Sequence, residues 1–352
     1  MDLNQQFWKN KRVFVTGHNG FKGTWLTIIL ESLGAKVFGY ALDPNTNPSF
    51  YNSIQNNLNI ISTTGDIRDY DDLKQAIYSA DPEIIIHMAA QPLVRLSYDH
   101  PVETYSTNVM GLVNLLDIAK NSKSLKSILN ITSDKCYENN EWHWGYRESD
   151  RLGGFDPYSN SKACAELVTA SFRSSYFNKL NVGVATARAG NVIGGGDWSE
   201  DRLVPDVIRA WQSHEKLTIR SPNAVRPWQH VLEPLMGYLL LAENLFNDPI
   251  QFSGAWNFGP DDRDVISVQT LINQIKNNLP DKLLVEFHED HSKHEASLLK
   301  LDCSKVRNTL NWKSRWDSNE AVKKTVDWYC NFYNKPNSIK EFTLSQLNNY
   351  LN

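Results

Sequence analysis

Short apolar and β-branched runs alternate along the chain with longer segments of amphipathic, helix-like spacing. RVFVTG leads into a helical stretch from about Lys22, AKVFGYALD and NIIS precede a helix from Tyr70, and EIIIHMAA precedes one from about Pro101. SILNITS, a helix from about Pro157 and NVGVATAR continue the series. Strand-length segments alternating with helix-length ones predict βαβ units. The expected class is therefore α/β, a Rossmann-type doubly wound parallel sheet with right-handed crossovers. Beyond about Val192 the pattern loosens into GGGDWSEDRLVPD and SPNAVRPWQH, WNFGP near Trp256 reads as one more strand returning to the sheet, and AVKKTVDWYCNFY reads as a late helix. The expected division is residues 1–192, with 231–260 returning to them, and a smaller, interleaved C-terminal domain of residues 193–230 and 261–352. Both termini are polar and are expected to be partly loose.

Composition narrows the partners more than the fold. The 352 residues are 41% hydrophobic and 22% charged, as in an ordinary soluble globular protein of about two domains. A formal charge of -4 gives nucleic acid or an anionic membrane no basic surface to bind, which leaves small molecules as the expected ligands. Cys136, Cys164, Cys303 and Cys330 are widely spaced, so neither a disulfide framework nor a thiolate zinc site is expected, and a reducing compartment fits. MDLNQQFWKNKRVFVTG has no basic-then-apolar export signal, and no window approaches the ~20 apolar residues of a membrane span. A cytoplasmic protein is the expectation.

The first strand ends in VTGHNGFKG, which sets Gly17, Gly20 and Gly23 in a GxxGxxG spacing at the start of a helix. Glycines there permit a tight turn and let the backbone approach a pyrophosphate seated on the helix N-terminus. A turn that merely uses three glycines explains the same spacing. Asp43, about twenty residues on at the end of the second strand, suits the hydroxyls of an adenosine ribose and would repel a 2'-phosphate, which favours NAD over NADP. Asp43 before Pro44 is also an ordinary turn opener. The expected cofactor contacts include His18, Asn19 and Phe21 in the glycine loop, and Asp66 and Ile67 in GDIRD after the third strand. Ala89, Ala90 and Gln91 in HMAAQ after the fourth, and Asn108, complete them.

A hydroxyl, a carboxylate and an ammonium stand side by side in TSDKCYEN, just past the apolar run SILNI, where an open parallel sheet presents ligands. A polar-capped turn would also account for Ser133, Asp134 and Lys135. YSNSK places Tyr158 and Lys162 one helical turn apart, so the ammonium is expected beside the phenol, favouring the phenolate of a general base.

TGHNGFKGTWL, HMAAQPLVR, TSDKCYENNEWHWGYRE, YSNSKACAEL, ARAGNVIGGGDWSEDRLVPD and RPWQHVLEPL together resemble the blocks of extended short-chain dehydrogenases/reductases, and among them the nucleotide-sugar dehydratases. The likeness covers nearly the whole chain and is greatest to the branch acting on CDP-D-glucose. It implies conversion to CDP-4-dehydro-6-deoxy-D-glucose, a precursor of bacterial deoxy and dideoxy sugars of O-antigen and lipopolysaccharide, with NAD reduced and reoxidised within one turnover. By the same resemblance Tyr158 takes the proton of the 4-hydroxyl, Ser133 hydrogen-bonds there, and Lys162 holds the nicotinamide ribose; Tyr158 and Lys162 thus also belong to the cofactor set. Asp134 is the candidate acid for the departing 6-hydroxyl, its carboxyl expected to be made more basic by burial. Lys135 departs from the dTDP-glucose and GDP-mannose dehydratases, which carry a glutamate here as the base at carbon 5; it is either that base or a stabiliser of the enolate.

Asn191, Arg202, Arg226 and His230 are the candidate sugar-nucleotide contacts, with arginine suited to phosphate through its paired donors. Asn191, Arg202 and Arg226, each taken alone, more often read as an ordinary surface charge or turn amide. Trp198 and Trp228 stack on a base or belong to the core. No residue type spells cytosine, so CDP rests on the resemblance. His288, His291 and His294 drift around a helix among acids and a lysine, and no metal site is expected. A homodimer, with pairing of two dimers left open, is expected from the stripe Val109, Leu112, Val113 and Leu116. Rival readings are a 4-epimerase, which needs no acid at carbon 6, a dehydratase of another nucleotide sugar, and a non-catalytic NAD-sensing protein, which would usually lose the tyrosine or lysine.

Overall fold

The computed structural model describes residues 3–219, 221–287 and 298–352. Its centre is a parallel sheet whose strands are β1 (Arg12–Thr16), β2 (Lys36–Ala41), β3 (Ile61–Thr64), β4 (Ile84–His87), β5 (Ser127–Ile131), β6 (Gly183–Ala189) and β7 (Gly254–Phe258). Their spatial order is β7-β6-β5-β4-β1-β2-β3. Crossover helices α1 (Phe21–Ser32), α2 (Tyr70–Ala80), α3 (Gly111–Ala119) and α4 (Pro157–Phe172) link them. Trp256 lies in β7, which pairs in parallel with β6 through Trp256 opposite Ala187.

The inner strands are largely apolar because each face meets a different core. Val13 and Val15 of β1, Ile84 and Ile86 of β4 and Leu129 of β5 face one side, with Trp25, Ile28 and Ile29 of α1. Phe14, Ile85 and Ile128 alternate to the other side, against Leu73 and Ile77 of α2 and Leu112, Leu115 and Leu116 of α3. Burial of each such side chain is worth about 1.5–3 kcal/mol. Leu112 and Leu116 of the stripe expected to form a subunit interface are therefore inside the protomer, while Val109 and Val113 are half-buried. Val102 and Met110 on the preceding turns, and Leu167 on α4, are the exposed apolar residues of this region.

The remainder of the chain adds α5 (Leu203–Ser213), α6 (Leu232–Asn247), α7 (Val268–Asn278), α8 (Ser318–Asn334) and α9 (Ile339–Leu351). Short pairs flank them: Val225–Pro227 runs antiparallel to Val265–Ser267, and Leu217–Ile219 parallel to Val285–Phe287. The C-terminus is not loose as expected: α9 buries Ile339, Leu347 and Tyr350, and Trp328 Nε1 of α8 donates to Thr343 Oγ1 at 2.9 Å. Trp198 and Trp228 are buried too, Trp198 among Trp328, Tyr329 and Phe332. Among the described residues no helix is long and apolar enough to cross a membrane.

Candidate active site

Strand order reverses at β1, whose neighbours are β2 and β4, so a crevice opens beyond the C-terminal ends of β1 and β4. Gly17 has φ +70°, and a Cβ there would stand 2.7 Å from the Ala89 nitrogen, so only glycine lets the two loops touch. A Cβ on Gly23 would lie 2.0 Å from Gly17 O, which makes it the contact between helix and loop. At Gly20 the added atom would meet Gly17 O at 3.5 Å and nothing nearer among the described residues, leaving its outer side for a ligand. No side chain caps the start of α1 and its first turn carries no acid, so its N–H groups face the same space. A cradle of this shape fits a dinucleotide pyrophosphate.

The other expected cofactor residues divide into those that face this space and those that brace it. Asp43 is exposed past the end of β2 and accepts from Thr64 Oγ1 at 3.3 Å. Asn19 Nδ2 donates to Leu42 O at 2.6 Å, tying the glycine loop to that strand end. The carboxylate of Asp66 is engaged by Arg68, whose hydrogen bonds hold it below the usual carboxylate range. Ile67 is buried under Gly111, so only its backbone borders the crevice side. His18 points inward: it is 1% exposed, its Nε2 meets Ser62 Oγ at 2.8 Å, and burial pushes its pKa down to about 4. Its side chain is a prop against Gly39, not a cofactor contact. Phe21 reaches back toward Gly194. Gln91 and Asn108 hold each other, Gln91 N donating to Asn108 Oδ1 (2.8 Å) and Asn108 Nδ2 to Gln91 O (3.0 Å) and Ser161 Oγ (2.9 Å). Both are spent on bracing the loop. Thr16 Oγ1 accepts from the nitrogens of Met88 and Ala89 and lies 2.7 Å from His87 Nδ1, so its hydrogen points to that nitrogen. Burial lowers the His87 pKa to about 3, which keeps it a neutral structural link.

At the end of β5 the chain turns through Ser133 into a single 3-10 turn, Asp134–Cys136. Ser133 Oγ accepts from Lys135 N (3.2 Å) and donates to Asp134 Oδ1 (3.1 Å), while Lys135 Nζ stands 3.5 Å from the same oxygen. Asp134 is 1% exposed, and its Oδ2 has no hydrogen-bond partner among the described residues. Gly190 leaves room for it: a Cβ there would come within 3.2 Å of that atom. Asp156 caps α4 by accepting from Ser159 N, Pro157 sets the first helical residue, and Tyr158 N donates to Ser97 Oγ at 3.1 Å, which fixes where the phenol leaves the helix.

Tyr158 and Lys162 converge on this turn, but not with the expected electrostatics. Burial pushes Tyr158 up to about 12, outweighing the Ser133 hydrogen bond and the Arg202 charge that pull it down. Lys162 does not supply the expected lowering; its ammonium donates to Ile131 O at 3.2 Å, and burial brings its own pKa down to about 8. The environment of Tyr158 thus favours the neutral phenol.

On the sugar-nucleotide side Arg202 pairs with Asp197 at 3.0 Å. Arg226 is buried and donates to Val225 O, and Asn191 carries a buried Oδ1 unpartnered among the described residues. His230 leaves the candidate set: it is fully buried between Trp25 and Trp316, and burial lowers its pKa to about 3, so it has no surface with which to meet a substrate. His288, His291 and His294 lie outside the described residues. Among the described ones no group of three or more His, Cys, Asp or Glu side chains could hold a metal ion.

Two features escaped the sequence. Lys22, in the glycine loop itself, places its ammonium 5.7 Å from the Tyr238 ring, and burial, then the charges of Arg202 and Lys162, bring its pKa down to about 7. A lysine where the helix dipole disfavours a cation was the available signal. The second is a buried ion pair, Glu166–Arg188, directly under the turn. Glu166 extends the Tyr158, Lys162 spacing by one more helical turn, and Arg188 is a charge inside the otherwise apolar run of β6.

Residues 14–325 match the family model described as GDP-mannose 4,6 dehydratase. The CDP-glucose 4,6-dehydratase of Salmonella typhimurium (strain LT2) is 51% identical over 93% of this chain and 92% of its own. A UDP-glucose-4-epimerase from Stenotrophomonas maltophila with bound NAD shares the fold with a TM-score of 0.80 at 19% identity, over 93% of this chain and 99% of that one. A dTDP-glucose 4,6-dehydratase from Bacillus anthracis in complex with NAD does so with a TM-score of 0.76 at 22% identity, over 92% and 97%. With the family model spanning both the glycine loop and the Ser133 to Lys162 centre, the chain belongs to the GDP-mannose 4,6-dehydratase family.

Proposed function

We propose that this protein is a hydro-lyase that converts CDP-D-glucose to CDP-4-dehydro-6-deoxy-D-glucose, feeding the synthesis of deoxy sugars. The observation that carries the reaction type is Asp134, a buried carboxylate with one unpartnered oxygen, set beside Ser133 and the Tyr158 helix. An epimerase has no use for an acid at carbon 6. The choice of CDP-glucose rests on the Salmonella relative.

What NAD supplies when bound is a temporary store for one hydride, taken from carbon 4 and given back at carbon 6. The glycine cradle holds its pyrophosphate, Asp43 its adenosine ribose and Lys162 its nicotinamide ribose. Tyr158 takes the proton of the 4-hydroxyl, with Ser133 hydrogen-bonded to the same oxygen; Arg202 and Ser133 already act in the direction this base requires. A ketone at carbon 4 acidifies the proton on carbon 5. Lys135 removes it, and Asp134 protonates the 6-hydroxyl as it departs as water. Residues 1–192 with 231–260 carry the cofactor, and residues 193–230 with 261–352, through Arg202, Arg226 and Asn191, carry the nucleotide sugar. The protein acts in the cytoplasm as a homodimer, with exposed Val102, Met110 and Leu167 at the subunit contact.

Incubation with CDP-glucose, UDP-glucose, dTDP-glucose and GDP-mannose, followed by mass spectrometry, tests this. Loss of one water from CDP-glucose alone is expected. An unchanged mass with inverted stereochemistry would make the protein an epimerase.

A further inference from the structure

We propose that the buried Glu166–Arg188 ion pair is the positioning element of the reaction, clamping both ends of the turn that carries Ser133, Asp134 and Lys135. The inference rests on the dehydratase reading of that turn.

The carboxylate of Glu166 is fully used. Its Oε1 accepts from Thr132 Oγ1 (2.5 Å) and Arg188 Nε (2.9 Å), and its Oε2 from Thr186 Oγ1 (2.6 Å) and Arg188 Nη2 (2.8 Å). Thr132 is the residue immediately before Ser133. From the same guanidinium, Nη1 donates to Tyr137 Oη at 2.7 Å and to Glu148 O at 3.2 Å, and its carbon lies 4.8 Å from the Tyr137 ring centroid. Tyr137 is the residue immediately after the 3-10 turn, and its hydroxyl passes the bond on to Asn257 Oδ1 at 2.7 Å. One ion pair thus grips the residue at each end of the reacting turn. It also springs from α4, the helix that carries Tyr158 and Lys162, so turn and helix are referenced to one carboxylate.

Both partners are 3% exposed. Two charges removed from water this completely hold only when every donor and acceptor is matched, and because desolvation offsets much of their attraction, such a pair is weak evidence for stability; the role inferred for it is a defined geometry. Bidentate contact fixes the guanidinium plane, which a lysine in its place would not. None of Glu166, Arg188, Thr132 and Tyr137 needs to touch the sugar.

Removing Glu166 or Arg188 would strand a buried charge and unfold the protein, so the test uses the two ends. Thr132→Val deletes one hydroxyl and leaves the ion pair intact; Thr132→Ser restores it. Tyr137→Phe does the same at the far end. On the parent enzyme's own substrate, established first by loss of water in the parent, Thr132→Val and Tyr137→Phe are expected to lower kcat roughly 10- to 100-fold, as a displacement of about an ångström does. KM stays within about threefold, since a clamp beneath the turn leaves binding untouched. Thr132→Ser is expected within about twofold of the parent. Turnover within about twofold of the parent in both deletion variants, or a serine variant no better than the valine one, would overturn the clamp while leaving the dehydratase reading standing. Should Thr132→Val fail to fold, Tyr137→Phe carries the test with the same two outcomes for kcat.

Discussion

Lys135 Nζ stands 3.5 Å from Asp134 Oδ1, with the lysine side chain 33% exposed and the aspartate 1% exposed. An acid and a base held this close and this unequally solvated can serve two sites on one sugar, a proton removed at carbon 5 and one supplied at carbon 6. Replacing Asp134 with asparagine keeps the shape and removes the acid. Oxidation at carbon 4 then proceeds while water loss slows by ~10²–10⁴, the usual worth of general acid catalysis. Absorbance of the reduced nicotinamide after mixing with substrate should rise and persist, where in the parent it is transient.

The glycine loop separates two roles that a substitution can tell apart. Gly23→Ala forces a methyl to within 2.0 Å of Gly17 O, so it should lower the thermal midpoint as well as cofactor affinity. Gly20→Ala meets nothing closer than 3.5 Å among the described residues and should melt like the parent, yet bind NAD at least tenfold more weakly by calorimetry. Equal effects on folding from both would refute the assignment of the open side.

Burial brings the Lys162 pKa down to about 8, with Glu166 opposing that shift. On the proposed role, in which its ammonium meets the nicotinamide ribose, NAD affinity of the free protein should decline as pH rises through about 8. In Lys162→Arg the cation persists and the decline should move upward or vanish. Calorimetric titrations at pH 7 and 9 compare the two.

Three neutral histidines set an acid limit to stability. Burial puts His87 and His230 at about 3 and His18 at about 4, below the ~6.5 of an unfolded chain. Between about pH 6.5 and 4 the unfolded chain therefore binds protons that the native one does not. Stability is complete above that window and falls as pH drops through it, by about 1.4 kcal/mol per pH unit for each histidine. His87→Asn, which keeps an acceptor for Thr16, should lose less stability between pH 7 and 5 than the parent, as read from urea midpoints.

The sheet was legible because strands buried on both faces must be apolar and their crossovers must be helical; even β7 announced itself in WNFGP. The polar turn after β5 was legible because polar residues interrupt an apolar run at a strand end. Depth was not legible. Leu112 and Leu116 looked like an interface stripe, yet the same spacing serves the protomer's own core. His230 sat in the polar-looking RPWQH, and only the fold brings Trp25 and Trp316 around it. The direction of the Tyr158 shift turned on how much water burial removes, a quantity that one neighbouring lysine in sequence does not reveal. Glu166 and Arg188 lie 22 residues apart, so each showed only as a misplaced charge.

The central claim is that one hydride leaves carbon 4 and comes back at carbon 6 of the same sugar. CDP-glucose carrying deuterium at carbon 4, turned over in ordinary water and read by NMR of the product, tests it directly. The account predicts deuterium in the new methyl group at carbon 6 and solvent hydrogen at carbon 5. Deuterium retained at carbon 4 or lost to solvent would contradict it.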